Sequence, residues 1–157
     1  MKKLIIPVGN IASGKTTLIN DLVKLNYYSI SRDALRYMLG SGIYIYDPMF
    51  EKTIKDISVS MLRKLVMTNV NIVMDETNVS KSSRETLITI AKKRKYRVIA
   101  YVLPKISKKE SVKRRLSDPH GDFSKEIWEG VWEKFNSMYE EPTYEEGFDE
   151  IAYKVSK

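Results

Sequence analysis

At 157 residues, with 43% apolar and 30% charged side chains, the chain has the make-up of one soluble globular domain spanning residues 1–157. It contains no cysteine and one histidine, which excludes disulfides, thiolate–zinc sites and histidine-rich metal centres. The net charge is +7; no run reaches membrane-spanning length and the N-terminus lacks a signal-peptide core, so the expectation is a cytoplasmic protein without membrane contact.

The first predicted element is an apolar strand, Lys3–Val8. It runs into Gly9-Asn10-Ile11-Ala12-Ser13-Gly14-Lys15-Thr16, which fits the Gly-x-x-x-x-Gly-Lys-[Ser/Thr] phosphate-binding loop without a mismatch. A helical pattern from Thr17 through Leu25 follows. In that order, the backbone N–H groups of Gly9, Asn10, Ala12, Ser13 and Gly14, with Thr17 at the helix start, are expected to cradle a polyphosphate. Lys15 reaches its terminal phosphates and the Thr16 hydroxyl binds Mg²⁺, so the expected ligand pair is ATP and Mg²⁺.

The second strand, Tyr27–Ile30, leads into Ser31-Arg32-Asp33-Ala34-Leu35-Arg36. In an open α/β sheet, ligands lie off the carboxyl ends of the strands. If residues from Asp33 onward are helical, Asp33 and Arg36 share a face at i,i+3. A carboxylate that accepts a hydroxyl proton beside an arginine that holds phosphate oxygens suits phosphoryl transfer to a hydroxyl. The competing reading is a helix cap and a surface ion pair. Next, Asp47-Pro48 reads as an N-cap and first helical residue, ahead of Phe50, Ile54, Ile57, Met61, Leu62, Leu65 and Val66 at helical spacing.

The third strand, Asn71–Met74, ends in Asp75-Glu76-Thr77-Asn78. An apolar strand running into aspartate is the Walker-B arrangement, with Asp75 as the metal candidate and Thr77 and Asn78 facing the acceptor. The Asn-Lys-x-Asp motif that reads guanine is absent. Ser82-x-x-Glu85 and Ser107-x-x-Glu110 read as capping boxes of two further helices, on either side of a fourth strand, Arg97–Leu103. A last helix from Ser124 carries Trp128, Val131, Trp132, Phe135 and Met138 on one face, which reads as core rather than base stacking. A fifth strand is expected near residues 150–155. Strands alternating with helices predict an α/β fold with a parallel five-stranded sheet, helices on both faces and a small helical lid.

Basic residues gather at Lys92-Lys93-Arg94-Lys95 with Arg97, and again from Lys105 to Arg115. Such a surface favours polyanions, although taken alone a solvated, solubilising face is the simpler account.

The phosphate loop, the Ser31–Arg36 segment and Asp75-Glu76-Thr77-Asn78 together resemble the kinase domain of phage and bacterial polynucleotide 5′-hydroxyl kinases, over about residues 4–116. The resemblance implies a P-loop kinase fold, ATP-dependent phosphorylation of a nucleic-acid 5′-OH end, Asp33 as general base and Arg36 on the acceptor phosphate. It also implies lid arginines on the ATP phosphates. Arg114 or Arg115 supplies the first; the second, four residues on in the family, is replaced by Asp118 or Pro119. Any end-repair role then needs a separate phosphatase or ligase. Two other readings stand beside it: a P-loop kinase of a small acceptor, and a nucleotide-switched binding protein. His120 reads as a loop residue.

Overall fold

The computed structural model describes residues 1–155. Five strands, β1 (Lys3–Val8), β2 (Tyr27–Ser31), β3 (Asn71–Asp75), β4 (Arg97–Val102) and β5 (Glu150–Tyr153), form one sheet in the order β2-β3-β1-β4-β5. Every pairing is parallel. Parallel neighbours require crossovers, and these are supplied by α1 (Lys15–Lys24), α2 (Arg32–Leu39), α3 (Glu51–Leu65), α4 (Lys81–Lys93), α5 (Lys108–Ser117) and α6 (Lys125–Met138).

Strand alternation divides the core. Leu4, Ile6 and Val8 of β1 point to one face, where Leu62 of α3, Val66 at its C-cap and Leu87, Ile88 and Ala91 from α4 cover them. Ile5, Val73 and Ile99 point to the other face and meet Ile19 and Leu22 of α1. Both faces are therefore buried under helices, which is why the central strands read as nearly continuous apolar runs.

Four helices, α2, α4, α5 and α6, start on serine caps. Ser31 accepts from the Ala34 N–H, Ser107 from Glu110 N–H and Ser124 from Ile127 N–H. Two start signals fall elsewhere than expected. The cap of α4 is Ser80, whose Oγ accepts from the Ser83 N–H, whereas Ser82 lies inside the helix. Ser80 is the last extended residue after β3, so the orphan N–H groups present themselves to its hydroxyl. At Asp47-Pro48 the chain forms a separate turn, in which Asp47 accepts from the N–H groups of Met49 and Phe50. The helix proper begins only at Glu51.

A third, smaller cluster joins α5 and α6 over the loop after β1: Ile11, Val112 and Trp128 are buried, with Phe123, Val131, Trp132 and Phe135 packed against them. Of the apolar face of α6, Trp128 is buried as core and Val131, Trp132 and Phe135 are half-buried, whereas Met138 is exposed; Trp128, Val131, Phe135 and Met138 also line the cleft at the carboxyl ends of the strands. Among the described residues no helix is long and apolar enough to cross a membrane.

Candidate active site

The carboxyl ends of β1, β2 and β3 open into a cleft of about 610 Å³, roofed by α5 and α6. The loop Gly9–Gly14 borders it, with Ile11 and then Lys15 in the lining. The Gly9 N–H donates to the Thr77 carbonyl at 3.0 Å, tying the loop to the end of β3. A Cβ on Gly9 would stand 2.7 Å from Ser13 Oγ and 3.0 Å from Leu103 Cβ, so no other residue fits there without displacing the loop. Gly14 turns the chain into α1 at φ 100°, a left-handed conformation that glycine adopts without strain.

The roof holds the outside of this loop. Ser111 Oγ donates to the Ile11 carbonyl at 2.6 Å, and the Asn10 side-chain amide donates to the Trp132 carbonyl at 3.0 Å. Arg114 reaches the Ala12 carbonyl at 3.3 Å and pairs with Glu110 at 2.8 Å. Thr16 and Thr17 are exposed at the start of α1.

Lys15 curls back over the loop, donating to the carbonyls of Gly9 at 3.0 Å and Asn10 at 2.7 Å. Desolvation lowers its pKa from 10.5 to about 8; Asp75 opposes the shift and Arg115 adds to it. Asp75 stands at the end of β3, and burial raises its pKa while Lys15 restrains the rise. Lys15 and Asp75 are therefore electrostatic neighbours before any ligand arrives.

The adjacent arginines on α5 separate. Arg114 faces the loop exterior, as above. Arg115 lines the cleft, with its guanidinium 5.3 Å from the Trp128 ring centroid and its Nε buried without a hydrogen-bond partner. A buried donor left open toward a cleft is suited to an incoming anion.

At the far end of the cleft, α2 presents Asp33 and Arg36 together. Arg36 Nη1 donates to Asp33 Oδ1 at 2.7 Å. Its other edge is clasped by the Glu51 carboxylate, through Nε at 3.0 Å and through Nη2. Burial works against the Arg36 charge, but the hydrogen bonds to Glu51 and the nearby Tyr44 and Asp33 more than offset it, so its pKa lies above the ordinary value. Tyr44 donates to Asp33 Oδ1 at 2.8 Å. Tyr44 and Tyr46 lie 5.8 Å and 6.0 Å from the Arg36 guanidinium, ring centroid to Cζ. Burial, then the Asp33 charge, raises the Tyr44 pKa and keeps its phenol a donor.

After β3 the chain turns at Asn78, at φ 48°. Asn78 is buried, and its amide donates to the carbonyls of Pro7 at 2.9 Å and Glu76 at 3.0 Å. Its backbone carbonyl takes a hydrogen bond from the fully buried Arg84 at 2.9 Å. The Asn78 side-chain nitrogen therefore holds the loop, while its Oδ1 is buried without a partner. Thr77 and Asn78 both line the cleft. Glu76 pairs with Arg32 at 3.0 Å.

Several cleft residues carried no sequence signal. Glu51, Tyr44, Tyr46 and Phe123 arrive from separate segments, and His120 stands 3.6 Å from Asp33. Tyr37, outside the cleft lining, bonds His120 from behind, and helical spacing places it one turn along from Asp33 on the same face. The basic cluster Lys92–Lys95 with Arg97 lies at the C-terminus of α4 and the start of β4, the end of the sheet opposite the cleft. Only the second cluster, on α5, runs along the roof.

The parallel sheet, the glycine-shaped loop at the end of β1 and the helical roof define a P-loop kinase-like domain. The chain belongs to the AAA domain family, whose model matches residues 4–142. No curated protein sequence matches it. Among solved structures, it is similar to a chain of the Pnkp1/Rnl/Hen1 RNA repair complex, at 22% identity and a TM-score of 0.68 over 87% of this chain. It spans 45% of that chain's length. It is also similar to a Chloroflexus aurantiacus protein assigned as a kinase, at 18% identity and TM-score 0.71, covering 97% of this chain and 86% of the other. A gluconokinase from Sinorhizobium meliloti 1021 matches at 15% identity and TM-score 0.58, covering 96% and 81%.

Proposed function

We propose that this chain is an ATP- and Mg²⁺-dependent kinase that transfers the γ-phosphate to the 5′-hydroxyl end of a polynucleotide. The observation that carries the reading is the Asp33–Arg36 pair on α2, set in the same cleft as Lys15 and Arg115. A nucleotide switch needs no carboxylate and arginine beside the terminal phosphate, whereas transfer to a hydroxyl uses both.

In this reading the N–H groups of Gly9, Asn10, Ala12, Ser13 and Gly14, with Thr17, hold the ATP phosphates. Lys15 leaves its two carbonyls for the β- and γ-phosphates, and Arg115 closes on the same charge from the roof; Arg114 steadies the loop from outside. The acceptor hydroxyl attacks the γ-phosphorus as the bond to the β–γ bridging oxygen breaks. Its proton passes to Asp33, and ADP leaves. Arg36, with Thr77, holds the acceptor; its guanidinium is already aimed by Glu51.

The residues present fit a magnesium ion. Among the described residues no three carboxylate or imidazole groups converge into an all-protein metal cage. Asp75 and the exposed Thr16 hydroxyl suit a cation that takes the rest of its oxygen shell from phosphates and water. When bound, it would supply charge neutralisation at the phosphates.

The same reading takes residues 1–157 as one kinase domain, active in the cytoplasm and dependent on a separate phosphatase or ligase for end repair. That the similar chain noted above belongs to an RNA repair complex supports it. So do the rings of Tyr44, Tyr46 and Phe123, which offer flat apolar surfaces to a nucleobase. A cleft of about 610 Å³ is also of small-molecule size, which favours a kinase of a small acceptor as the second reading. A transfer screen from γ-labelled ATP to 5′-OH oligonucleotides, nucleosides, nucleotides and sugar acids tests the proposal. Label on the oligonucleotides supports it; label only on a small acceptor refutes it.

A further inference from the structure

The chain's single histidine sits against the proposed base. Asp33 Oδ1 already accepts from Arg36 and Tyr44, which leaves Oδ2 as the oxygen free for a hydroxyl proton. His120 Nε2 stands 3.6 Å from that oxygen. Its Nδ1 is 3.1 Å from the Tyr37 hydroxyl. The imidazole stacks on Tyr44, with ring centroids 5.5 Å apart and 19° between planes. In the tautomer whose Nδ1 accepts from Tyr37, the Nε2 proton faces the carboxylate across 3.6 Å, within reach of a small closing shift.

The backbone supports the same placement. His120 lies in the loop between α5 and α6, and the next residue, Gly121, has φ 70°. A Cβ there would come within 2.8 Å of the Phe123 ring and 3.1 Å of Tyr44. The loop therefore presses onto the aromatic wall at a position where only glycine fits. Helices α5 and α6 form the roof, so this contact joins the roof to α2.

We propose that His120 is a positioning residue for Asp33, delivered by the α5–α6 loop, so that the base is correctly aimed only when the roof is docked on α2. The inference rests on Asp33 acting as the base in the proposed transfer. In the step, the hydroxyl proton goes to Oδ2 and the acceptor oxygen bonds to the γ-phosphorus as ADP departs; His120 neither gains nor loses a proton.

Two experiments decide it. The first needs no acceptor. A single histidine gives one imidazole signal set by NMR without assignment, and the ring resonances are compared at one pH in the unmodified protein and in Asp33→Asn. The groups against the ring are Asp33 and Tyr37 from α2 and Tyr44 from the loop after it. With Nε2 facing the carboxylate, the imidazole nitrogen and proton resonances are expected to move in Asp33→Asn. Unchanged resonances overturn the proposal.

The second is kinetic. His120→Phe keeps the stack and loses both nitrogens; His120→Gln keeps a donor near Oδ2 and loses the ring. The expected result is a fall in kcat of about 10–100-fold for His120→Phe, the scale for losing an outer partner that orients a reacting group. His120→Gln should recover most of that, with the KM for ATP unchanged in both. Gly121→Ala, which retains the histidine but displaces the loop, should resemble His120→Phe. Full activity in His120→Phe, or a rise in the KM for ATP that matches the loss in kcat, overturns the proposal. If the unmodified protein labels no oligonucleotide, the polynucleotide reading fails, and the NMR comparison still decides the His120–Asp33 contact.

Discussion

Raising the pH from about 7.5 to about 9.5 should weaken ATP binding through one residue, Lys15. In the empty loop desolvation and the nearby Arg115 bring its pKa down from 10.5 to about 8. A bound polyphosphate replaces the Gly9 and Asn10 carbonyls with full negative charges and returns the ammonium to its ordinary range. The bound state then holds more protons than the free one, so affinity falls as pH rises above the free-state value. If the bound pKa is 10.5 or higher, the dissociation constant grows about 20-fold over that interval, and binding at pH 9 takes up about 0.9 proton. A terminal phosphate is already fully ionised across this range, so the change belongs to the protein. Calorimetry in two buffers of different ionisation enthalpy reads the proton uptake directly. Lys15→Ala should bind ATP weakly and with no such pH dependence, while folding normally. A flat affinity profile, or no proton uptake near pH 9, would refute the reasoning.

Asp33→Asn should lower turnover by about 10²–10⁴-fold with little effect on ATP affinity, as expected for removal of a general base; equal losses in both would place Asp33 on the donor side. Arg36→Ala should penalise acceptors bearing a phosphate 3′ to the reacting hydroxyl more than plain nucleosides, and equal loss on both would show that it serves the transferred group. Gly9→Ala should abolish nucleotide binding, since its methyl would lie 2.7 Å from Ser13 Oγ, and near-normal ATP affinity would contradict the description of the loop. With the Lys92–Arg97 cluster remote from the cleft, about three roof lysines or arginines remain for a single strand, which predicts a slope near −2 for log affinity against log salt. A flat salt dependence would exclude that contact.

The parts of the site legible in the sequence are those written locally. Gly9–Thr16 packs its chemistry into one continuous loop, and Asp33 and Arg36 are one helical turn apart. Strand alternation and apolar runs likewise reveal the sheet. What stayed hidden depends on distant segments meeting. Tyr37 and His120 are 83 residues apart, and Glu51 is 15 residues along the chain from Arg36, on a different helix. The choice between Arg114 and Arg115 depends on which way one turn of α5 faces, and adjacent residues on a helix point in different directions. Ser82 and Asp47 misled because a cap is defined by where the chain stops being extended, and residue type alone does not fix that point. That the Asn78 side-chain nitrogen also ties the loop to Pro7 depends on the left-handed turn after β3, which residue type alone does not fix.

The most direct test of the central claim is a rate comparison with γ-labelled ATP and Mg²⁺ on two oligonucleotides of one sequence, one ending in a 5′-hydroxyl and the other in a 5′-phosphate. The account predicts stoichiometric label on the 5′-hydroxyl strand, recovered as a 5′-monophosphate on digestion, and none on its phosphorylated twin. It also predicts that a free nucleoside at the same concentration is used more slowly. Label on neither strand, with efficient transfer to a nucleoside, nucleotide or sugar acid, would contradict it.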